Sequence, residues 1–217
     1  MLQVIIDLSP PVGPDSPVWP GDVAYAQQTH WPLTAGSPVS VSHFTTTAHI
    51  GAHADAPAHF VPGGATIGEV PLDAYVGPCQ VIDCRSTAPR ERVGLAEIRA
   101  ALGPRGLLAP RVLIKTYATA THRWDDRFPG LAADALTWLG EQGAVLVGVD
   151  VASLDPMQSK DAAAHHAAYA AGLVILENLA LADVPDGRYE LIALPLRLMI
   201  MDASPVRAVL RPLAERP

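Results

Sequence analysis

Residues 131–149 read Leu131-Ala-Ala-Asp-Ala-Leu-Thr-Trp-Leu-Gly-Glu-Gln-Gly143-Ala-Val-Leu-Val-Gly-Val149. The stretch from Leu131 to Gln142 suits a helix that stops at Gly143, a residue able to take the left-handed position beyond a helix C-terminus. The apolar run from Val145 to Val149 that follows suits a buried strand. The same alternation extends outward in both directions. Leu95 to Leu102 stops at Gly103, and Asp161 to Ala171 stops at Gly172. Short apolar runs lie around these stretches: Val81-Ile82, Val112 to Ile114, Leu173 to Leu176, Leu191 to Leu194, Leu198 to Met201 and Val206 to Leu210. Strands interleaved with helices indicate an α/β fold. No repeat, charge block or Ser/Gly-rich linker divides the chain, so residues 1–217 are read as a single domain. The first seventy residues are loop-rich. Ser9 to Asp22 carries five prolines and is excluded from a helix.

Composition narrows the class. The 217 residues are 49% hydrophobic and 17% charged, which excludes a disordered chain and allows a sizeable core. Lys and Arg total 15 against 22 Asp and Glu, for a net charge of -7. A phosphate backbone calls for clustered positive charge, so no nucleic-acid partner is expected. No run approaches the roughly 18 apolar residues of a membrane span, so no membrane partner is expected either. The opening MLQVIIDLSPP lacks a basic leader and reaches Asp7 early, so the expectation is a cytoplasmic protein. Cys79 and Cys84 flank an apparent strand that holds them about 16 Å apart at ~3.3 Å per residue, too far for a disulfide. Buried free thiols are expected.

The chemistry-bearing residues are unevenly spread. Four of the eight histidines, His43, His49, His53 and His59, fall within 17 residues. The core of this cluster reads His49-Ile-Gly-Ala-His53-Ala-Asp55-Ala-Pro57-Ala-His59. Gly51 and Pro57 make it a poor helix, so a helical zinc motif is excluded. In an extended chain residues 53, 55, 57 and 59 face one way, which would aim His53, Asp55 and His59 at one point, while Gly51 and the alternate alanines leave room for packing behind. Imidazole plus carboxylate suits zinc or a similar divalent transition metal with an open coordination position. Histidines hydrogen-bonded in a core strand are the plainer alternative.

A second group lies about a hundred residues on: His165 and His166 on the expected third helix, then Glu177 in the apolar run 173–179. Adjacent helical residues diverge by roughly 100°, so one histidine only is expected to join the site. A buried carboxylate at Glu177 needs a compensating partner, either a metal or a basic side chain, and both readings stand. His30, His43 and His122 read as surface or loop histidines, His166 as solvent-facing or hydrogen-bonded, and Asp150 as a supporting group or a cap. Lys115 is a weak candidate for a pocket residue. Ser153 lacks the G-x-S-x-G surroundings of a nucleophile.

Four stretches together resemble the metal-dependent cyclase-like superfamily. They are the motif from His49 to His59; the opening Asp7-Leu-Ser-Pro with Pro17-Val-Trp19-Pro-Gly-Asp22; Gly148-Val-Asp150-Val-Ala-Ser153-Leu-Asp155-Pro156; and His165 with Ile175-Leu-Glu177-Asn178-Leu179. The Trp19 loop and the wording Ala52-His-Ala-Asp-Ala-Pro57 are most similar to the bacterial kynurenine formamidases (arylformamidases). The resemblance implies a swivelling β/β/α fold, usually as a homodimer in which the Trp19 loop serves a neighbouring subunit's site. It implies two divalent metal ions, usually Zn²⁺, with His49, His53 and Asp55 on the first, Asp55 and Glu177 bridging, and His165 completing the second. His59 matches the family's catalytic acid/base and Trp19 an aromatic at the substrate position. The implied reaction is metal-dependent hydrolysis of N-formyl-L-kynurenine to L-kynurenine and formate in tryptophan degradation. Alternatives are an isatin-hydrolase-like enzyme acting on another small amide, and a metal-binding protein without catalysis. Residues 116–124 depart from the family wording and are expected to bear on substrate identity.

Overall fold

The computed structural model describes residues 4–117 and 123–213. In chain order the strands are β1 (Ile6–Asp7), β2 (Ala26–Trp31), β3 (Val41–Thr45), β4 (His53–Asp55), β5 (Val76–Asp83), β6 (Arg92–Val93) and β7 (Arg111–Lys115). They continue with β8 (Gly130–Leu131), β9 (Leu146–Val149), β10 (Val174–Glu177), β11 (Gly187–Ile192), β12 (Ala203–Pro205) and β13 (Val209–Pro212). The helices are α1 (Leu95–Leu102), α2 (Ala133–Glu141) and α3 (Ala163–Ala170). Nine strands form one sheet in the order β1-β13-β11-β5-β7-β9-β10-β4-β12. Its centre, β5-β7-β9-β10, is parallel; β4 and β12 add antiparallel on one side, β11, β13 and β1 on the other. The fold is the expected α/β arrangement.

Strand periodicity builds two cores. Every residue of β7 and β9 is buried, as a covered parallel strand requires. Val112, Ile114, Val147 and Val149 face α1, α2 and α3, where they meet Ile98, Leu136, Leu139 and Ala168. Leu113 and Leu146 face the other way, onto Val81, Tyr75, Leu191 and Leu210. The glycines after the helices behave as expected: Gly103, Gly143 and Gly172 all take positive φ. Glu97 accepts the Gly94 N–H at 2.7 Å and closes the start of α1. Cys79 and Cys84 are buried and free. Among the described residues no helix is long and apolar enough to cross a membrane.

Three expectations need correction. Leu198 to Met201 is not a strand: the backbone turns on itself through the Leu198 N–H to the Leu196 carbonyl at 2.9 Å, and Met199 and Ile200 are exposed. The paired strand is the next segment, β12, whose residues are smaller and mostly buried. The second correction concerns the histidine ribbon. It is extended over β4, but Pro57–His59 is a 3₁₀ turn opened by the proline, so His59 reaches its place by a turn and not by strand alternation. The third concerns Lys115, which is buried against the Val184 carbonyl at 3.0 Å, pairs with Asp83 and Asp186, and does not line the cavity bordered by His49, His59 and His165.

β2 and β3 form a separate two-stranded ribbon, with every residue exposed. β6 and β8 pair in parallel and bring Gly130 against the loop after β9. A Cβ at Gly130 would stand 2.5 Å from the Leu154 carbonyl oxygen and 2.7 Å from Pro156 Cδ, so backbone would have to move. Gly130→Ala is therefore expected to lower stability by about 1–3 kcal/mol, read as a shifted urea midpoint. An unchanged midpoint would mean that the 154–156 loop yields freely.

Candidate metal centre

The site grows out of the pairing of β10 with β4. Glu177 lies opposite His53, and Ile175 opposite Asp55. Directly opposed residues of an antiparallel pair share a face, so His53, Asp55 and Glu177 project together, on the side of the helices. Ala54 and Leu176 fall on the other face, in the second core. The alanines at 52, 54 and 56 are buried, which fits their expected role as close-packing residues. α3 then brings His165 over the same spot.

Distances within this group are short. His53 Nε2 lies 3.3 Å from Glu177 Oε2 and 3.5 Å from Asp55 Oδ1. His165 Nε2 lies 3.5 Å from both Asp55 Oδ2 and Glu177 Oε1. His49 Nδ1 approaches Asp55 Oδ1 at 3.1 Å. The structure thus brings together His49, His53, Asp55, His165 and Glu177, from a loop, two strands and a helix. The ring of His59 stands 4.3 Å from that of His49 and 6.0 Å from that of His165, at the more exposed edge of the group.

Each buried imidazole is held from behind. The His53 Nδ1–H donates to the Gly51 carbonyl at 2.9 Å, which leaves Nε2 as the nitrogen facing the carboxylates. Asp155 does the same for His165, accepting from Nδ1 at 2.7 Å. Asp155 also accepts from the Ala164 N–H at 3.0 Å and the His165 N–H at 3.1 Å, so it caps α3 from a distant loop. That cap fixes a helix whose entry residue, Ala162, is left-handed at φ 47. Glu177 accepts the Leu154 N–H at 2.7 Å, and the chain turns away from it through Asn178 at φ 56, a conformation asparagine tolerates.

Electrostatics in the group are dominated by buried carboxylates. Burial pushes the Asp55 carboxyl up, but His165, His49 and His53 outweigh it and hold it well below its usual range. Glu177 is likewise raised by burial and by Asp55, yet held low on balance by His165 and His53. Burial pulls His165 down, but Asp155, Asp55 and Glu177 carry it up to about 12; His49, pulled down by burial, is carried up to about 9 by Asp55 and Asp202. The environment demands positive charge. His53 Nε2, His165 Nε2 and both Asp55 oxygens are buried without a hydrogen-bond partner, which is what a cation would resolve. Two groups, His49-Asp55-His59 and His53-Asp55-Glu177, place their donor atoms within 4.8 Å of one another. This nitrogen and oxygen set fits zinc or a similar divalent ion. No described lysine or arginine forms an ion pair with Glu177, whose close imidazole neighbours are His53 and His165.

His49, His59, His165 and Glu177 line a cavity of about 820 Å³, while His53 and Asp55 are buried outside its lining. Trp19, Phe60, Tyr117, Trp124 and Met157 line its walls, together with His166 and Asp150. Trp19 packs edge-on against Trp124 at 5.2 Å and Phe128 at 6.1 Å, so its loop lines a cavity of its own chain. Asp150 accepts from the Thr116 N–H at 2.9 Å and hydroxyl at 2.6 Å, tying the end of β9 to the end of β7; burial pushes its carboxyl up to about 6. Ser153 accepts from the Asp155 N–H at 3.3 Å and supports the loop. His30 and His43 sit on the exposed ribbon; His122 and much of the 116–124 segment lie outside the described residues. The sequence reading missed the roles of Asp155 and Asp202. Glu177→Ala is expected to remove at least one equivalent of bound metal, measured by elemental analysis. Full retention would take Glu177 out of the ligand set.

Comparison with known proteins agrees with this geometry. The Cyclase family model ("Putative cyclase") matches residues 6–156. A "potential metal-dependent hydrolase with cyclase activity" is 29% identical, with 98% of this chain and 100% of that chain covered, at a TM-score of 0.80. A "predicted metal-dependent hydrolase" of Bacillus stearothermophilus is 31% identical over 97% and 99% of the two chains, at a TM-score of 0.77. Isatin hydrolase A of Labrenzia aggregata, bound to benzyl benzoate, shares the fold at a TM-score of 0.82 with 24% identity over 96% and 93%. With a matching family model over most of its length and its fold reproduced end to end, the chain belongs to the Cyclase family.

Proposed function

We propose that this protein is a metal-dependent amide hydrolase acting on N-formyl-L-kynurenine, with L-kynurenine and formate as products. The observation that carries the reading is the set of buried, unpartnered donor atoms on His53, Asp55 and His165, in one group with the His49, His165 and Glu177 side chains that line an aromatic-walled cavity. His49, His53, Asp55, His165 and Glu177 would hold two divalent ions, zinc by their chemistry. Bound there, such ions would supply Lewis acidity to a formyl oxygen and lower the pKa of a water toward neutrality. His59, at the exposed edge, would take a proton from the attacking water and deliver it to the departing aniline nitrogen. The edge-on stack of Trp19 on Trp124 and Phe128 offers a flat aromatic surface to the aryl ring of the substrate, worth roughly 0.5–1.5 kcal/mol beyond burial.

The same aromatic wall would accept a fused bicyclic amide, which keeps an isatin-type substrate as the second reading. Purified protein should hydrolyse N-formylkynurenine in preference to isatin, followed by absorbance, and thorough chelation should abolish the activity. Turnover that survives metal removal overturns the mechanism, and preference for isatin overturns the substrate. His59→Ala should lower kcat by about 10²–10⁴-fold with metal content intact. Loss of metal in that variant would make His59 a ligand.

The ribbon of β2 and β3 supports pairing with a second copy. An isolated two-stranded ribbon is marginal in water, and this one exposes Trp31, Val41 and Phe44 without one acidic, lysine or arginine residue between Val23 and Thr46. Light scattering should return the mass of two chains, and Phe44→Glu with Trp31→Glu should return one. A single-chain mass for the unaltered protein overturns the pairing.

A further inference from the structure

Asp202 is a fourth carboxylate at the histidine group, after Asp55, Glu177 and Asp155, and comes from the far end of the chain, immediately before β12. Its Oδ2 lies 3.1 Å from His49 Nε2 and 3.3 Å from His59 Nδ1, across 153 and 143 residues of sequence. The segment that carries it is fixed from both sides. The Ala56 N–H donates to the Asp202 carbonyl at 2.8 Å, and the Ile67 N–H to the Met201 carbonyl at 2.9 Å. The pairing of Ala203 with Asp55 then sets Asp202 beside the start of the 3₁₀ turn that ends at His59. The cavity lining includes His49 and His59 but not Asp202.

We propose that Asp202 is a positioning residue that fixes the tautomers of His49 and His59 together, through one shared carboxylate oxygen. With an ion bound, accepting from His49 Nε2–H would leave Nδ1 to the ion, and Nδ1 is the atom 3.1 Å from Asp55. Accepting from His59 Nδ1–H leaves Nε2 as the basic nitrogen of the residue assigned the proton transfers. A carboxylate behind a histidine sets which ring nitrogen is available and holds the ring plane. The Asp202 side chain is 42% exposed, where an ion pair adds little to stability. Its contribution is therefore geometric: it keeps the outer ligand and the acid/base in register.

The part concerning turnover rests on the hydrolase reading, so the test has one arm that does not. Long-range proton–nitrogen spectra of the zinc-loaded protein should show His49 protonated on Nε2 and His59 on Nδ1. Asp202→Ala should replace at least one of these by a tautomer mixture, and Asp202→Glu should restore it. Competition with a chromogenic chelator should show zinc held about 10–100-fold more weakly by Asp202→Ala, the range seen when such supporting groups are removed. With N-formylkynurenine, kcat should fall by a similar factor while KM and the thermal midpoint stay near wild type. Wild-type tautomers in Asp202→Ala overturn the proposal whatever the turnover. If the unaltered protein hydrolyses neither amide, the hydrolase reading fails while the spectra still decide the role of Asp202.

Discussion

Two carboxylates, Asp55 and Glu177, are buried side by side on adjacent strands toward one edge of the sheet. Taking a carboxylate out of water costs several kcal/mol even after relaxation, and two like charges at close range add to it. Much of the surrounding architecture answers that cost. Three imidazoles crowd the pair, the Leu154 N–H meets one oxygen, and α3 is docked by Asp155 so that His165 faces inward. Even so, both Asp55 oxygens lack a hydrogen bond. A packed hydrocarbon pair would be cheaper at this position. The arrangement makes physical sense as a seat for positive charge.

The seat is built unevenly, and the unevenness sorts the residues into roles. On the inner side, His53 and His165 are buried and each is tied to a rigid acceptor, a backbone carbonyl and a buried carboxylate. On the outer side, His49 and His59 share the half-exposed Asp202 and border the cavity. Rigid, dry donors suit the holding of an ion. A solvent-reachable imidazole suits the exchange of protons, because the proton must arrive from and return to water. The proposed division between ligands and acid/base thus follows the gradient of burial.

Much of this was legible in the sequence, for identifiable reasons. The period of two aimed His53 and Asp55 at one point, and the terminating glycines bounded all three expected helices within about two residues. Apolar character misled where it was not matched by periodic burial: Leu198 to Met201 looks like a strand and is an exposed turn. An extended chain through residues 53–59 would aim His59 by strand alternation, whereas Pro57 opens a 3₁₀ turn that carries His59 to its place. Asp155 and Asp202 lie ten residues from His165 and more than a hundred from His49 and His59, respectively. Neither separation matches a strand or helix period. Contacts made only by chain crossing leave no local pattern to read.

The elements that form the candidate centre and those that shape the cavity are different parts of the fold, which bears on how one fold can serve different substrates. His53, Asp55, His165 and Glu177 sit on sheet and helix, where a shift of one residue would turn a side chain to the opposite core. Trp19, Trp124 and Met157 sit on connecting loops, whose backbone does not carry the sheet. Loop substitutions can therefore remodel the wall without disturbing the carboxylate pair. The neighbouring Bacillus stearothermophilus protein and the isatin hydrolase keep this fold at 31% and 24% identity, which is what a fixed frame with a replaceable wall allows. Substrate identity then has to be sought in the aromatic surface around Trp19. Under the proposed hydrolysis, the chemistry of the histidine and carboxylate group would be common to any amide that fits beside it.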